Sequence, residues 1–215
     1  VEFTKIDLDT WTRTEVFNHF IDQKTTYSMT HNVPIDRALK FVKENHYNFY
    51  PLFIFSVLKV VNSNYLYRMA FNDQGELGYW DSLVPFYSIF DNKTELFSNI
   101  DTENTYTFAE FHRDYLDDIK QYQGTGKLFP KQPVPQNVVN ISMMPWVNYS
   151  SFNLNIGNND KYLLPIVTAG KFEKDIHQKR QLPVTFQIHH AVCDGYQTGL
   201  FFNRLEELLS QPEKL

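Results

Sequence analysis

One cysteine in 215 residues, Cys193, excludes an internal disulfide framework and fits a reducing cytoplasm. Runs of Lys or Arg are missing. With a net charge of −5 and a pI of ≈ 5.8, the chain has no basic stripe to offer a nucleic acid. Long hydrophobic runs are missing too. The most apolar stretch, PLFIFSVLKVV at 51–61, contains Lys59 and is too short to span a bilayer. The first residues, VEFTKIDLDTW, carry acidic side chains in place of an apolar run and so do not form a signal peptide. Repeats and low-complexity tracts are lacking. These absences predict a soluble cytoplasmic protein with neither a nucleic-acid nor a membrane partner.

Aromatic residues are abundant. Nineteen Phe and 13 Tyr are enough for an aromatic core and for an aromatic-lined pocket. The length fits a single domain over 1–215. Helical spacing of Trp11, Phe17, Phe20 and Ile21 predicts a helix over 11–23, with Thr10 or Thr12 as its cap. Further helices are expected at 37–46, at 51–62 with Pro in the first turn, at 108–122 and at 195–210. TTYSMT (25–30) alternates like a strand. LYRMAFN, ELGYWD, VPFYSIF and KTELFSNI read as a run of β-hairpins, and NVVNISMMP, YLLPIVTAGKF and RQLPVTFQIHH read as later strands. The segment 124–137 is irregular, and 148–160 alternates only weakly. Helices and strands follow one another without a regular βαβ rhythm. The expected fold class is therefore α/β, a two-layer sandwich in which helices cover a large mixed β-sheet.

The chemistry concentrates in HHAVCDGY, 189–196. Neighbouring strand residues face opposite ways, so only one of His189 and His190 can serve a given pocket. For an isolated pair, the bland role of completing hydrogen bonds at a strand end is the commoner one. A metal site built on His190 and Asp194 lacks a third ligand at suitable spacing. Asp194, three residues before Gln197, can cap the last helix, or it can pair with an Arg elsewhere. Cys193 has no Lys or Arg beside it in sequence to activate it and reads as a small buried residue.

His190-Ala-Val-Cys-Asp194-Gly195 resembles the HxxxDG motif of coenzyme A-dependent acyltransferases. That motif is short and is shared with dihydrolipoyl acyltransferases and condensation domains. The ordered set Trp11-Thr-Arg13, TTYSMT, NFYP, LGYWD, LFPK, NISMMPW, SSFNLNIGN, PIVTAGKF and HHAVCDGY spans nearly the whole chain, and it resembles the classical trimeric chloramphenicol acetyltransferase family. The resemblance implies a homotrimer with active sites between subunits, and acetyl transfer from acetyl-CoA to the primary hydroxyl of chloramphenicol. Acetyl-CoA is then a co-substrate, with no permanently bound cofactor. By matching, His190 is the general base, Ser142 stabilises the oxyanion, and Thr168 supports it through water. Asp194 and Arg13 form a structural ion pair. Phe20, Phe129, Phe152, Leu154 and Ile156 line the chloramphenicol pocket, and Tyr50, Lys171 and Phe172 hold coenzyme A.

These residue types suit the reaction. An imidazole of pKa ~6.5 is largely neutral at pH 7 and can accept a hydroxyl proton. A preplaced hydroxyl can stabilise the tetrahedral oxyanion formed from a thioester. The chain departs from the family pattern at Gln197, at Phe20 where some members have Tyr, at Asn48 where some have Lys, and at Phe172 where a Tyr is expected. The loss of the Lys leaves Lys171 as the remaining cation for the coenzyme. An acyltransferase using another hydroxyl acceptor, or a non-catalytic binding relative, are the competing readings.

Overall fold

Two buried segments occupy the middle of the molecule, one as a helix and one as a strand. The computed structural model describes residues 1–103, 107–155 and 161–215. PLFIFSVLKVV is apolar around its whole circumference, so it can be stable only when packed on all sides. It forms most of α3 (Phe49–Asn62), with Leu52, Phe53, Ile54, Phe55, Val57 and Leu58 buried. Pro51 sits in the first turn, where its missing N–H costs nothing. Just before that turn, the backbone N–H of Asn48 donates to His112 Nε2 at 3.1 Å, satisfying one orphan donor.

The second segment is β10 (Arg180–His189), the long strand around which the main sheet is built. That sheet also contains β2 (Thr26–Pro34), β5 (Val84–Asp91), β6 (Leu96–Asp101), β7 (Val138–Met143), β8 (Ile166–Ala169) and the short β9 (Glu173–Lys174). Its order is β2-β10-β8-β7-β5-β6, with β9 paired to β10. The β7–β8 and β5–β7 pairs are parallel and the others antiparallel. One face of the sheet is covered by α3, which packs against α2 (Asp36–Glu44), α4 (Phe108–Tyr122) and α5 (Gly195–Ser210). Phe186 of β10 meets Phe201 of α5 at 4.2 Å between ring centroids, joining the two layers. This is the two-layer mixed α/β architecture expected. Among the described residues no helix is long and apolar enough to cross a membrane.

Several local expectations are corrected. The four hairpin-like segments divide between two sheets. Tyr65–Arg68 is a 3-10 turn, β4 (Leu77–Trp80) lies between β3 (Met69–Phe71) and β1 (Phe3–Lys5) in a separate three-stranded sheet, and only β5 and β6 join the main one. The first helix, α1, covers only Thr14–Asp22 and has no side-chain cap. Thr10 instead bonds Asp7, and the Thr14 hydroxyl donates to the Leu8 and Trp11 carbonyls, so this segment is folded as a turn. Trp11 remains outside the helix, donating from Nε1 to Tyr65 Oη at 3.2 Å and packing on Phe17. Residues 148–155 contain no strand, and of 162–172 only β8 is extended and paired.

Candidate active site

The turn after β10 separates the two histidines. His189 continues the alternation of Thr185 and Gln187, is 1% exposed, and its Nδ1 accepts the Ala191 N–H at 3.1 Å. It holds the turn together. The His190 N–H donates to the Thr25 carbonyl at 2.8 Å, which ties this residue to the start of β2. The His190 ring lies flat on Phe20, with centroids 3.8 Å apart and planes 7° from parallel, and Tyr27 flanks it at 5.1 Å. Nδ1 is buried with no hydrogen-bond partner among the described residues. The residue as a whole is half-buried, so Nε2 is the nitrogen that meets solvent. Tyr27 is itself fixed by a 2.6 Å hydrogen bond between its hydroxyl and that of Thr198. Cys193 is fully buried, and burial pushes its thiol well above the usual range, which suppresses thiolate chemistry.

Asp194 fills both of the roles open to it. It is the N-cap of α5: Oδ1 accepts from the Tyr196 N–H at 3.0 Å, and Gln197 Oε1 accepts from the Asp194 N–H at 3.1 Å, completing a capping box. Its other oxygen lies 3.4 Å from Arg13 Nη1. The Asp194 side chain is 39% exposed while that of Arg13 is 17% exposed, and Arg13 Nε and Nη2 are buried with no partner among the described residues. The pair is therefore asymmetric, and solvent screens the carboxylate. Asp194→Ala loses the cap, about 0.5–2 kcal/mol, and also strands the guanidinium. Arg13→Ala leaves Asp194 capped and solvated and should cost less. In a denaturant-unfolding cycle the double variant should lie closer to Asp194→Ala than to the sum of the two single changes. Strict additivity would mean the two side chains are uncoupled and that the cap alone matters.

On the sheet face opposite the helices, polar side chains line up across the strands. Thr30 of β2 pairs with Thr185 of β10, Thr185 with Thr168 of β8, and Thr168 with Ser142 of β7. Ser88 of β5 follows Tyr87, the partner of Ile141, and pairs with Asn99 of β6. Neighbours in this row are hydrogen-bonded: Thr30 to Thr185 at 2.7 Å, Ser142 to Thr168 at 3.1 Å, and Ser88 to Asn99 at 2.7 Å. An open cleft of ≈ 390 Å³ lies over Ser142, Thr168, Ser88, Asn99 and Asn140, walled by Phe86, Phe152, Leu154 and Tyr162. Leu154 is held there by Gln187, which accepts from its N–H at 2.8 Å and donates to its carbonyl at 2.7 Å. Phe129 packs on Phe86 at 5.9 Å, and its irregular segment is pinned by Lys131 between Asp101 and Asp118, each carboxylate 3.4 Å away. Ile156 lies outside the described residues.

A second cleft, ≈ 380 Å³, shares Ser88 with the first and is lined by Tyr50, Phe90, Phe97, Tyr115, Met143 and Trp146. The Tyr50 hydroxyl donates to the Ser88 and Ile141 carbonyls, at 3.2 and 3.3 Å. Lys171 and Phe172 line neither cleft. They lie on the exposed connection after β8, where the Lys171 N–H donates to Val147 O at 2.8 Å, bringing them beside the Trp146 segment. Sequence reasoning missed Ser88, Asn99, Asn140, Tyr162 and Trp146. The small polar residues among them are visible only once strand register is known. Among the described residues no group of three or more His, Cys, Asp or Glu gathers to hold a metal ion.

His190 and Ser142 do not meet within one chain. Thr185 stands opposite Thr168, and His190 is five residues further along, beyond the start of β8. At about 3.3 Å per residue and 4.8 Å per strand, roughly 17–20 Å separates the two backbone positions. A base and an oxyanion donor that serve one carbonyl must each lie about 3 Å from the reacting atoms.

The family model described as chloramphenicol acetyltransferase matches residues 1–206. A chloramphenicol acetyltransferase of Staphylococcus aureus is 49% identical over 99% of this chain and 98% of its own length. One of Clostridium butyricum is 43% identical over 97% of this chain and 95% of its own length. Among solved structures, a chloramphenicol acetyltransferase superposes with a TM-score of 0.88 at 20% identity, covering 97% of this chain and all of that one. A dihydrolipoamide acetyltransferase of Azotobacter vinelandii superposes with a TM-score of 0.70 at 10% identity, covering 99% of this chain and 93% of its own. These two structural matches show the fold alone.

Proposed function

The chain belongs to the chloramphenicol acetyltransferase family, and from that premise we propose that it transfers the acetyl group of acetyl-CoA to the primary hydroxyl of chloramphenicol, inactivating the antibiotic. The observation that carries the reading is His190, clamped between Phe20 and Tyr27 with Nδ1 buried and Nε2 open. With its proton on Nδ1, the ring presents the Nε2 lone pair to a hydroxyl. As the chloramphenicol oxygen attacks the thioester carbon, its proton passes to Nε2 and the carbonyl oxygen gains charge. The Ser142 hydroxyl, steadied by Thr168 at 3.1 Å, donates to that oxygen. When the C–S bond breaks, the coenzyme thiolate regains a proton from the imidazolium. Both substrates meet in one complex and no acyl-enzyme is required.

In this reading the first cleft takes the acceptor, with Phe152 and Leu154 on its walls and Phe129 packed on the wall residue Phe86, and Phe20 closes the site from the His190 side. The second cleft, through Tyr50, receives the coenzyme, and Lys171 and Phe172, outside that cleft but beside the Trp146 segment that lines it, are assigned to the coenzyme's outer part. Asp194 and Arg13 hold the turn and take no part in proton transfer. The separation of His190 from Ser142 supports a site shared between subunits, one subunit's base facing its neighbour's cleft, and the family resemblance makes that assembly a homotrimer. A lone buried thiol fits work in the reducing cytoplasm.

The test is thiol release from acetyl-CoA by purified protein, with and without chloramphenicol. Release that depends on chloramphenicol and yields the 3-acetyl ester supports the reading. Release with other alcohols but not with chloramphenicol would reassign the acceptor.

A further inference from the structure

We propose that Asn99 is a specificity-determining residue of the acceptor cleft, whose side-chain amide donates to an oxygen at the end of the acceptor farthest from its reacting hydroxyl. The inference rests on the functional reading above, which gives the first cleft to chloramphenicol. Asn99 lines that cleft together with Ser142 and Thr168, and it is absent from the second, coenzyme-side cleft.

Its amide oxygen faces Ser88. Ser88 Oγ donates to Asn99 Oδ1 at 2.7 Å, so the oxygen end of the amide is engaged within the sheet. The two hydrogens on Nδ2 then have no partner among the described residues, and Nδ2 is not a buried atom. The surroundings are otherwise apolar on that side, where Phe86 lines the cleft and Phe129 backs it. A donor in such a wall discriminates: a ligand that presents an oxygen gains a hydrogen bond, and one that presents hydrocarbon strips water from the amide without replacing it.

Distance selects the group on the ligand. β6 is two strands from β7, so at about 4.8 Å per strand the Asn99 side chain lies roughly 10 Å from Ser142. The acetyl carbonyl sits beside Ser142, with the reacting hydroxyl next to it. The nitro oxygens, at the far end of the aryl ring, are the acceptor atoms of chloramphenicol that lie about that far away. Its amide carbonyl and secondary hydroxyl lie nearer to the reacting centre.

The experiment compares kcat/KM for chloramphenicol with that for its analogue carrying an unsubstituted phenyl ring, in wild type, Asn99→Ala and Asn99→Asp. Asn99→Ala should lower the preference for the nitro compound about 3-fold, the scale of one neutral hydrogen bond. Asn99→Asp offers the nitro group an acceptor in place of a donor and should lower the preference further, to about 10-fold. In both variants the loss should appear in KM for chloramphenicol. A preference that stays at the wild-type value in both variants overturns the proposal, as does an equal fall for both acceptors or a rise confined to KM for acetyl-CoA. Wild-type protein that acetylates neither acceptor overturns the functional reading itself, and this inference with it.

Discussion

His190→Ala and His190→Gln should each lower kcat by about 10²–10⁴-fold or more while KM for both substrates stays close to wild type. In the proposed role the imidazole gains its proton only as the hydroxyl attacks, so its contribution is made in the transition state. The ring also packs on Phe20, and Gln keeps more of that contact than Ala. If packing were the main role, Gln would rescue a large part of the loss. As a base it has no replacement, and the two variants should be equally poor. His189 supplies the contrast. Its Nδ1 accepts the Ala191 N–H inside the core, so His189→Gln should lower the unfolding midpoint and leave kcat far less affected than the His190 variants do. Equal kcat losses at the two positions would contradict the assignment.

The parts of this fold that were legible in the sequence are those specified locally. The last helix, Gly195–Ser210, and the helix Phe108–Tyr122 have the bounds expected, because a capping residue precedes each and apolar periodicity runs through it. The pairing of Asp194 with both Gln197 and Arg13 was half legible. The cap follows from spacing, while the Arg13 contact joins residues 181 positions apart and entered only by resemblance. The boundary of the first helix failed because Trp11 satisfies the helical period yet packs on Phe17 from a turn. The division of four hairpin-like strands between two sheets is set by partners far away, β1 for one pair and β7 for the other, and alternation carries no information about partners. The same limit hid the polar row. Ser88, Asn99 and Ser142 are isolated polar residues on separate strands, and each becomes part of one cleft only through register.

Ser142→Ala should lower kcat by about 10²–10³-fold, the usual cost of losing one oxyanion donor, with little change in KM for chloramphenicol. A rise in KM alone would make the hydroxyl a ground-state contact. The variant also permits a sharper test when mixed with His190→Ala. Each is impaired alone, one lacking the base at every site and the other lacking the donor. If base and donor came from the same chain, every site in a mixed assembly would still contain one defective residue, and mixing would restore nothing. The roughly 17–20 Å between them within a chain argues for the other arrangement. In a cyclic trimer each subunit's His190 then faces its neighbour's Ser142, and the interface is head-to-tail. Any trimer containing both variants would hold one site in which an intact His190 from the Ser142→Ala subunit meets an intact Ser142 from the His190→Ala subunit. Random assembly of equal amounts makes most trimers mixed, so activity should return to about a quarter of wild type per subunit. The measurement is chloramphenicol-dependent thiol release before and after co-refolding the two variants. Activity that never exceeds the sum of the separately refolded variants would place base and donor in one chain, and would require a rearrangement of β10 against β7 to bring them together.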